Sequence, residues 1–111
     1  LHEGGVITAN ITREDAKRAG ISEVTDAGLS QWLIRTNEAV ISCTFKETKS
    51  GNVEISMRSK PGFDVSKIAF EVGGGGHVPA AGATVDGPLL EARKRILPML
   101  IAEAKAGRRG G

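Results

Sequence analysis

The chain has 111 residues, 40% of them hydrophobic and 25% charged, the profile of one globular domain around a single core. Its 15 Lys and Arg against 13 Asp and Glu leave a net charge of +2, an excess that Arg108 and Arg109 alone account for. Attraction of nucleic acid by bulk charge is therefore excluded, and any anion must be recognised locally.

In chain order, Val6 to Ile11 reads as a short β-branched strand after Gly4-Gly5. Thr12 looks like an N-cap with Asp15 in a capping-box-like position, opening a helix from about Arg13 to Ala19 that stops at Gly20. A second helix is expected over about Asp26 to Arg35, with Leu29, Trp32 and Leu33 on its core face. The clearest hairpin follows. Ala39, Ile41, Cys43 and Phe45 alternate with polar residues, Lys49-Ser50-Gly51-Asn52 turns the chain, and Val53, Ile55 and Met57 alternate again. A period of two puts Cys43 on the apolar face and Arg58 beside Ser56 on the polar one.

Pro61-Gly62 breaks that strand, and Asp64 is a plausible N-cap for a helix of about Val65 to Glu71 packing Val65, Ile68 and Ala69. The helix runs into Gly73-Gly74-Gly75-Gly76-His77, then Val78-Pro79-Ala80-Ala81-Gly82 and an expected strand at Ala83 to Val85. Four glycines contribute nothing to a core, but they offer unshielded N–H groups and backbone free to take positive φ, the makings of an anion cradle. His77 adds a side-chain donor there. A dinucleotide fingerprint would need strand, glycines, helix; the order here is helix, glycines, strand. A last helix is expected from Pro88 at N1, kinked or divided at Pro98, and residues 106–111 read as a disordered tail with a single Arg-Arg-Gly-Gly segment. The fold class is α+β: a central mixed sheet of about four to five strands flanked by helices, over residues 1–105.

Arg58 ends a strand with a planar fork suited to phosphate, so Arg58 and the Gly74, Gly75, Gly76 and His77 loop are expected to make one phosphate site. Two distant histidines, His2 and His77, and scattered carboxylates make neither a two-metal site nor a nucleophile–base pair. On this reading the chain binds rather than cuts. One cysteine excludes an internal disulfide and suggests a cytoplasmic setting, and no apolar run is long enough for a bilayer, so no membrane partner is expected. The start at Leu1 rather than Met suggests a piece of a longer protein.

Ser56-Met57-Arg58-Ser59, Asp64-Val65-Ser66-Lys67-Ile68-Ala69, Gly73 to His77 and Ala80-Ala81-Gly82 together resemble the DHH-associated type 1 domain. This is the C-terminal half of DHH-family phosphoesterases, and the match is densest from about residue 37 to 85. The family includes oligoribonucleases that also dephosphorylate 3′-phosphoadenosine 5′-phosphate, cyclic di-AMP phosphodiesterases and RecJ exonucleases. The resemblance implies that Arg58 grips substrate phosphate and that Gly75, Gly76 and His77 contact the terminal nucleotide, with Ser59 at the motif's edge. It also implies an N-terminal DHH domain carrying two Mn²⁺ ions, a short oligonucleotide or nucleotide as substrate, and a parent for which a dimer is an open option. No Asp-His-His motif occurs here, so no catalytic or metal residue is assigned to this chain. Two other readings stand beside it: an RNA-binding appendage, as in alanyl-tRNA synthetases, and a purely structural domain.

Overall fold

A computed structural model describes residues 3–14, 26–36 and 38–110. After a short turn of 3-10 helix at Glu3–Gly5, the elements in chain order are β1 (Val6–Ile11), α1 (Asp26–Thr36), β2 (Ile41–Glu47), β3 (Val53–Ser59), α2 (Ser66–Glu71), β4 (Gly75–His77), β5 (Ala80–Val85) and α3 (Leu89–Gly110). Five strands form one sheet in the order β1-β2-β3-β5-β4. The β1–β2 pair is parallel and the other pairs are antiparallel, so the sheet is mixed and the fold is α+β, as expected. The helix expected over 13–19 lies, beyond Arg13 and Glu14, outside the described residues, as do His2 and Gly20.

Alternation along β2 and β3 sorts the side chains onto two faces. Ile41, Cys43, Phe45, Val53, Ile55 and Met57 point to one face and pack with α2 and α3, which contribute Ile68, Ala69, Ala92, Ile96, Leu100 and Ala104. The α3 residues recur every four positions, the stripe a helix needs to lie on a sheet. Removing side chains such as Phe45, Ile41 and Ile96 from water stabilises the fold by about 1.5–3 kcal/mol each. Arg93 fastens α3 to the β1 edge: its guanidinium lies 5.9 Å from the Phe45 ring centroid and donates to Thr8 Oγ1 at 2.8 Å and Asn10 Oδ1 at 3.2 Å. Cys43 is fully buried and acts as a small hydrophobe; burial drives its thiol pKa far above the ordinary range.

The opposite face carries Ser42, Thr44, Ser56 and Arg58. Here α1 lies over β1, β2 and β3 and buries Ser42 and Thr44 completely despite their polar character. The Ser42 hydroxyl is satisfied by donating to the Ser30 carbonyl at 2.6 Å.

Three expectations are corrected. Trp32 is not core but 58% exposed; α1 is rotated so that Ser30, Leu33 and Ile34 face the sheet. Pro98 does not divide the last helix, which is continuous. The proline is exposed, and so is Lys94, whose carbonyl the missing N–H would otherwise have bonded, so water can serve that group. The helix also continues through Gly110, where a disordered tail from residue 106 was expected. Gly107 explains the extension: a Cβ there would stand 2.7 Å from the Gly62 carbonyl oxygen and 2.3 Å from the Phe63 ring, so its absence lets the last turns rest on the 61–63 turn. Among the described residues no helix is long and apolar enough to cross a membrane.

Candidate phosphate-binding face

The glycine run does not form an open loop. Gly73, with φ +86°, follows α2 and closes it: its N–H donates to the Phe70 carbonyl at 3.2 Å, and that of Gly74 donates to the Ala69 carbonyl at 2.7 Å. These paired bonds are the Schellman arrangement, which demands a residue tolerant of positive φ at its first position. The first two amides of the run are therefore spent on the helix end. Gly75, Gly76 and His77 then enter the sheet as β4, pairing with Gly82, Ala81 and Ala80. The strand expected at 83–85 accordingly starts at Ala80. Such glycine-rich strands carry no β signal in sequence; tertiary pairing creates this one.

The hairpin tip is held from below. Val65 N–H donates to the Val78 carbonyl and Ser59 N–H to the Pro79 carbonyl, both at 3.0 Å. The Ser59 hydroxyl donates to the Phe63 carbonyl at 3.1 Å, with the Val78 carbonyl at 3.4 Å. Asp64 accepts from the Ser66 N–H at 2.9 Å and from its hydroxyl, which starts α2 without acting as a formal N-cap; the Ser66 hydroxyl holds the Asp64 carboxyl below its ordinary pKa. Lys67 and the Asp64 N–H both engage Glu103 at 3.0 Å, tying α2 to α3. Sequence reasoning missed Val65, Val78 and Pro79 as the backbone clamp that positions His77. Their side chains carry no signal of it, since the work is done by their main-chain atoms.

The consequence lies in the register. Arg58 pairs with Ala80 across β3–β5, and Ala80 pairs with His77 across β5–β4. Residues directly opposite each other share a face, so Arg58 and His77 rise from the same face with only a methyl group between them. Their backbones are two strand spacings apart, about 10 Å, which leaves room for a small anion between the side chains. Arg58 is half-buried and His77 exposed, and among the described residues no hydrogen bond or ion pair occupies the guanidinium or the imidazole. α1 lies over β1, β2 and β3 but not over β5 and β4, and Glu54, Thr84, Gly76 and His77 are exposed. The structure thus brings Arg58, Gly75, Gly76 and His77 together on or beside one open row, and leaves Ser59 on the opposite face with its hydroxyl engaged. An arginine fork and an imidazole donor flanking an open gap can bind a phosphate from two sides.

Among the described residues, no three His, Cys, Asp or Glu side chains come together to hold a metal ion. The two Mn²⁺ ions that the resemblance implies are expected in an N-terminal DHH domain and not among the donors of this chain.

A family model for the DHHA1 domain matches residues 3–106. Over 98 residues the chain is 39% identical to the bifunctional oligoribonuclease and PAP phosphatase NrnA of Thermus thermophilus, covering 87% of this chain and 29% of that protein. Among solved structures, an exopolyphosphatase-related protein from Bacteroides fragilis superposes with a TM-score of 0.83 at 23% identity, over 95% of this chain and 31% of that one. The C-Ala domain of Aquifex aeolicus alanyl-tRNA synthetase superposes with a TM-score of 0.61 at 12% identity, over 86% of this chain and 89% of that one. The chain therefore spans less than a third of the length of its curated relative, whereas it nearly fills the synthetase domain.

Proposed function

The chain belongs to the DHHA1 domain family, and from that premise we propose that it is the substrate-holding domain of a DHH-type phosphoesterase. Its partner in the longer protein is an N-terminal domain that supplies two Mn²⁺ ions, and its substrate is a short oligonucleotide or a nucleotide such as 3′-phosphoadenosine 5′-phosphate. The observation that carries this reading is the shared row of Arg58, Ala80 and His77, with neither side chain hydrogen-bonded or ion-paired among the described residues. Arg58 grips a phosphate bidentately and His77 donates from the other side, fixing the terminal nucleotide. Gly75 and Gly76 keep the floor beside them free of side chains, and Ser59 braces the tip that carries His77 rather than touching substrate. Orientation of the phosphate and terminal nucleotide is the contribution of this half, and the metal chemistry would belong to the other.

Amide chemical-shift mapping of the chain, titrated with adenosine 3′,5′-bisphosphate and with pApA, tests the proposal. Saturable shifts centred on Arg58, Ala80 and Gly75 to His77 are expected at up to millimolar ligand, since half of the cleft is contributed elsewhere. Amides that stay still would overturn it. The likeness of fold to C-Ala favours a second reading, a tRNA-binding appendage. Salt separates the two: one or two phosphate contacts give a shallow slope of log K on log salt, about −1 to −2, whereas a long RNA footprint gives a steep one.

A further inference from the structure

The face that carries Arg58 and His77 continues row by row along the strands. One row on, Ser56, Gly82 and Gly75 are in register; the next brings Glu54 opposite Thr84. Because Gly75 and Gly82 are direct partners, two adjacent strands present no side chain, and the face sinks into an open depression walled by Glu54, Ser56 and Thr84 with Gly74 and Gly82 in its floor. Phe70, 64% exposed, borders the β4 side, with a ring carbon 3.7 Å from where a Gly75 Cβ would stand.

The glycines of this floor are not equivalent. A Cβ on Gly74 would strike the Gly82 carbonyl oxygen at 2.2 Å, and one on Gly82 the Ile55 carbonyl oxygen at 2.8 Å, so both are demanded by backbone packing. Gly75 is demanded by nothing of the kind: its φ is not positive, and a Cβ would make only ordinary contact with Phe70. The fold tolerates a side chain there, and the sequence leaves the space empty.

The geometry points to a purine subsite. It rests on the phosphate reading above and names what that phosphate is attached to. The base lies across Gly75 and Gly82, in the width of about 10 Å between β4 and β3. Phe70 meets its apolar edge, and the Glu54 carboxylate accepts hydrogen bonds from its pairing edge. A carboxylate accepts only. Guanine offers it two adjacent donors, N1–H and the N2 amino group, while adenine offers one amino group. Uracil offers a single N–H flanked by two carbonyl oxygens that the carboxylate repels. The order of preference is guanine, adenine, uracil.

The test titrates the 111-residue chain with 5′-GMP, 5′-UMP and ribose 5-phosphate, followed by amide NMR. All three ligands shift Arg58 and His77; 5′-GMP alone also shifts Glu54, Gly75 and Gly82, and binds roughly tenfold more tightly than 5′-UMP, the scale of one well-made base contact. Glu54→Gln removes that preference and leaves ribose 5-phosphate binding unchanged. If 5′-GMP, 5′-UMP and ribose 5-phosphate bind equally and disturb only Arg58 and His77, the base subsite is overturned and the phosphate reading stands. A preference that survives in Glu54→Gln also overturns it. If no ligand moves Arg58 or His77, both readings fall.

Discussion

Replacing the four glycines of residues 73–76 by alanine, one at a time, should give three grades of result. Gly74→Ala places a Cβ 2.2 Å from the Gly82 carbonyl oxygen and 2.5 Å from the Ala83 Cβ, and Gly76→Ala places one 2.5 Å from the Ala81 Cα. Those neighbours are paired strand, which moves only if β4 shifts off β5. Overpacking of this kind costs about 1–3 kcal/mol or more, and Gly76 adds the strain of φ +140°. Gly73→Ala meets nothing within 4 Å, so its cost is the left-handed backbone alone, about 1–2 kcal/mol. Gly75→Ala meets only the Phe70 ring at 3.7 Å, and stiffening of the unfolded chain offsets any small loss, leaving a change of about 0 to 1 kcal/mol in the stabilising direction. Urea unfolding reads the series as midpoints at constant m. The expected order of destabilisation is Gly74 and Gly76 first, then Gly73, with Gly75 last and near zero. A Gly75→Ala loss equal to that of Gly74→Ala would refute the structural reasoning, as would four equal and small effects.

Arg58→Ala and His77→Ala should each weaken phosphate binding at least tenfold, since a charge-assisted contact is worth about 1.5–3 kcal/mol, while urea midpoints stay put because neither side chain has a hydrogen-bond or ion-pair partner among the described residues. Equal loss of stability and binding would mean a structural role instead. Asp64 has its carboxyl pKa lowered, chiefly by the Ser66 hydroxyl. A group depressed on folding contributes stability that is fully present above its unfolded pKa, near 3.9, and lost as pH falls through the folded value. The stability gap between the native chain and Asp64→Asn should therefore hold steady from pH 7 to about 5 and shrink below about pH 4; a gap independent of pH down to 2 would contradict that. Cys43, buried and with its thiol pKa pushed far up, should react with a disulfide reagent only at the rate of global unfolding, and immediate labelling would refute its placement.

How much of this could be read from the sequence depended on which physical term dominated locally. The β2–β3 hairpin was legible because one face alternates cleanly, Ile41, Cys43, Phe45 against Val53, Ile55, Met57, with a turn sequence between. What covers the other face was not legible: Ser42 and Thr44 look solvent-facing, yet α1 buries them. The rotation of α1 failed for the same reason, since a helical period places Trp32 beside Leu33 but only the partner surface decides which side of the stripe is covered. The glycine run was recognisable as special but misjudged in kind. Two of its amides close α2, and three of its residues, Gly75 to His77, form a strand whose existence depends on β5. Arg58 and His77 were picked out as two halves of one site; their common row follows from a pairing register between β3, β5 and β4 that no local pattern encodes.

The most direct measurement follows the side chains themselves: the Arg58 Nε–H resonance and the His77 ring resonances during a titration with pApA, in the native chain and in Arg58→Ala. One shared phosphate predicts that both sets move with a single dissociation constant, and that the His77 response collapses when Arg58 is removed. Two unrelated constants, or a His77 response indifferent to the loss of Arg58, would contradict the claim that the two side chains hold one phosphate.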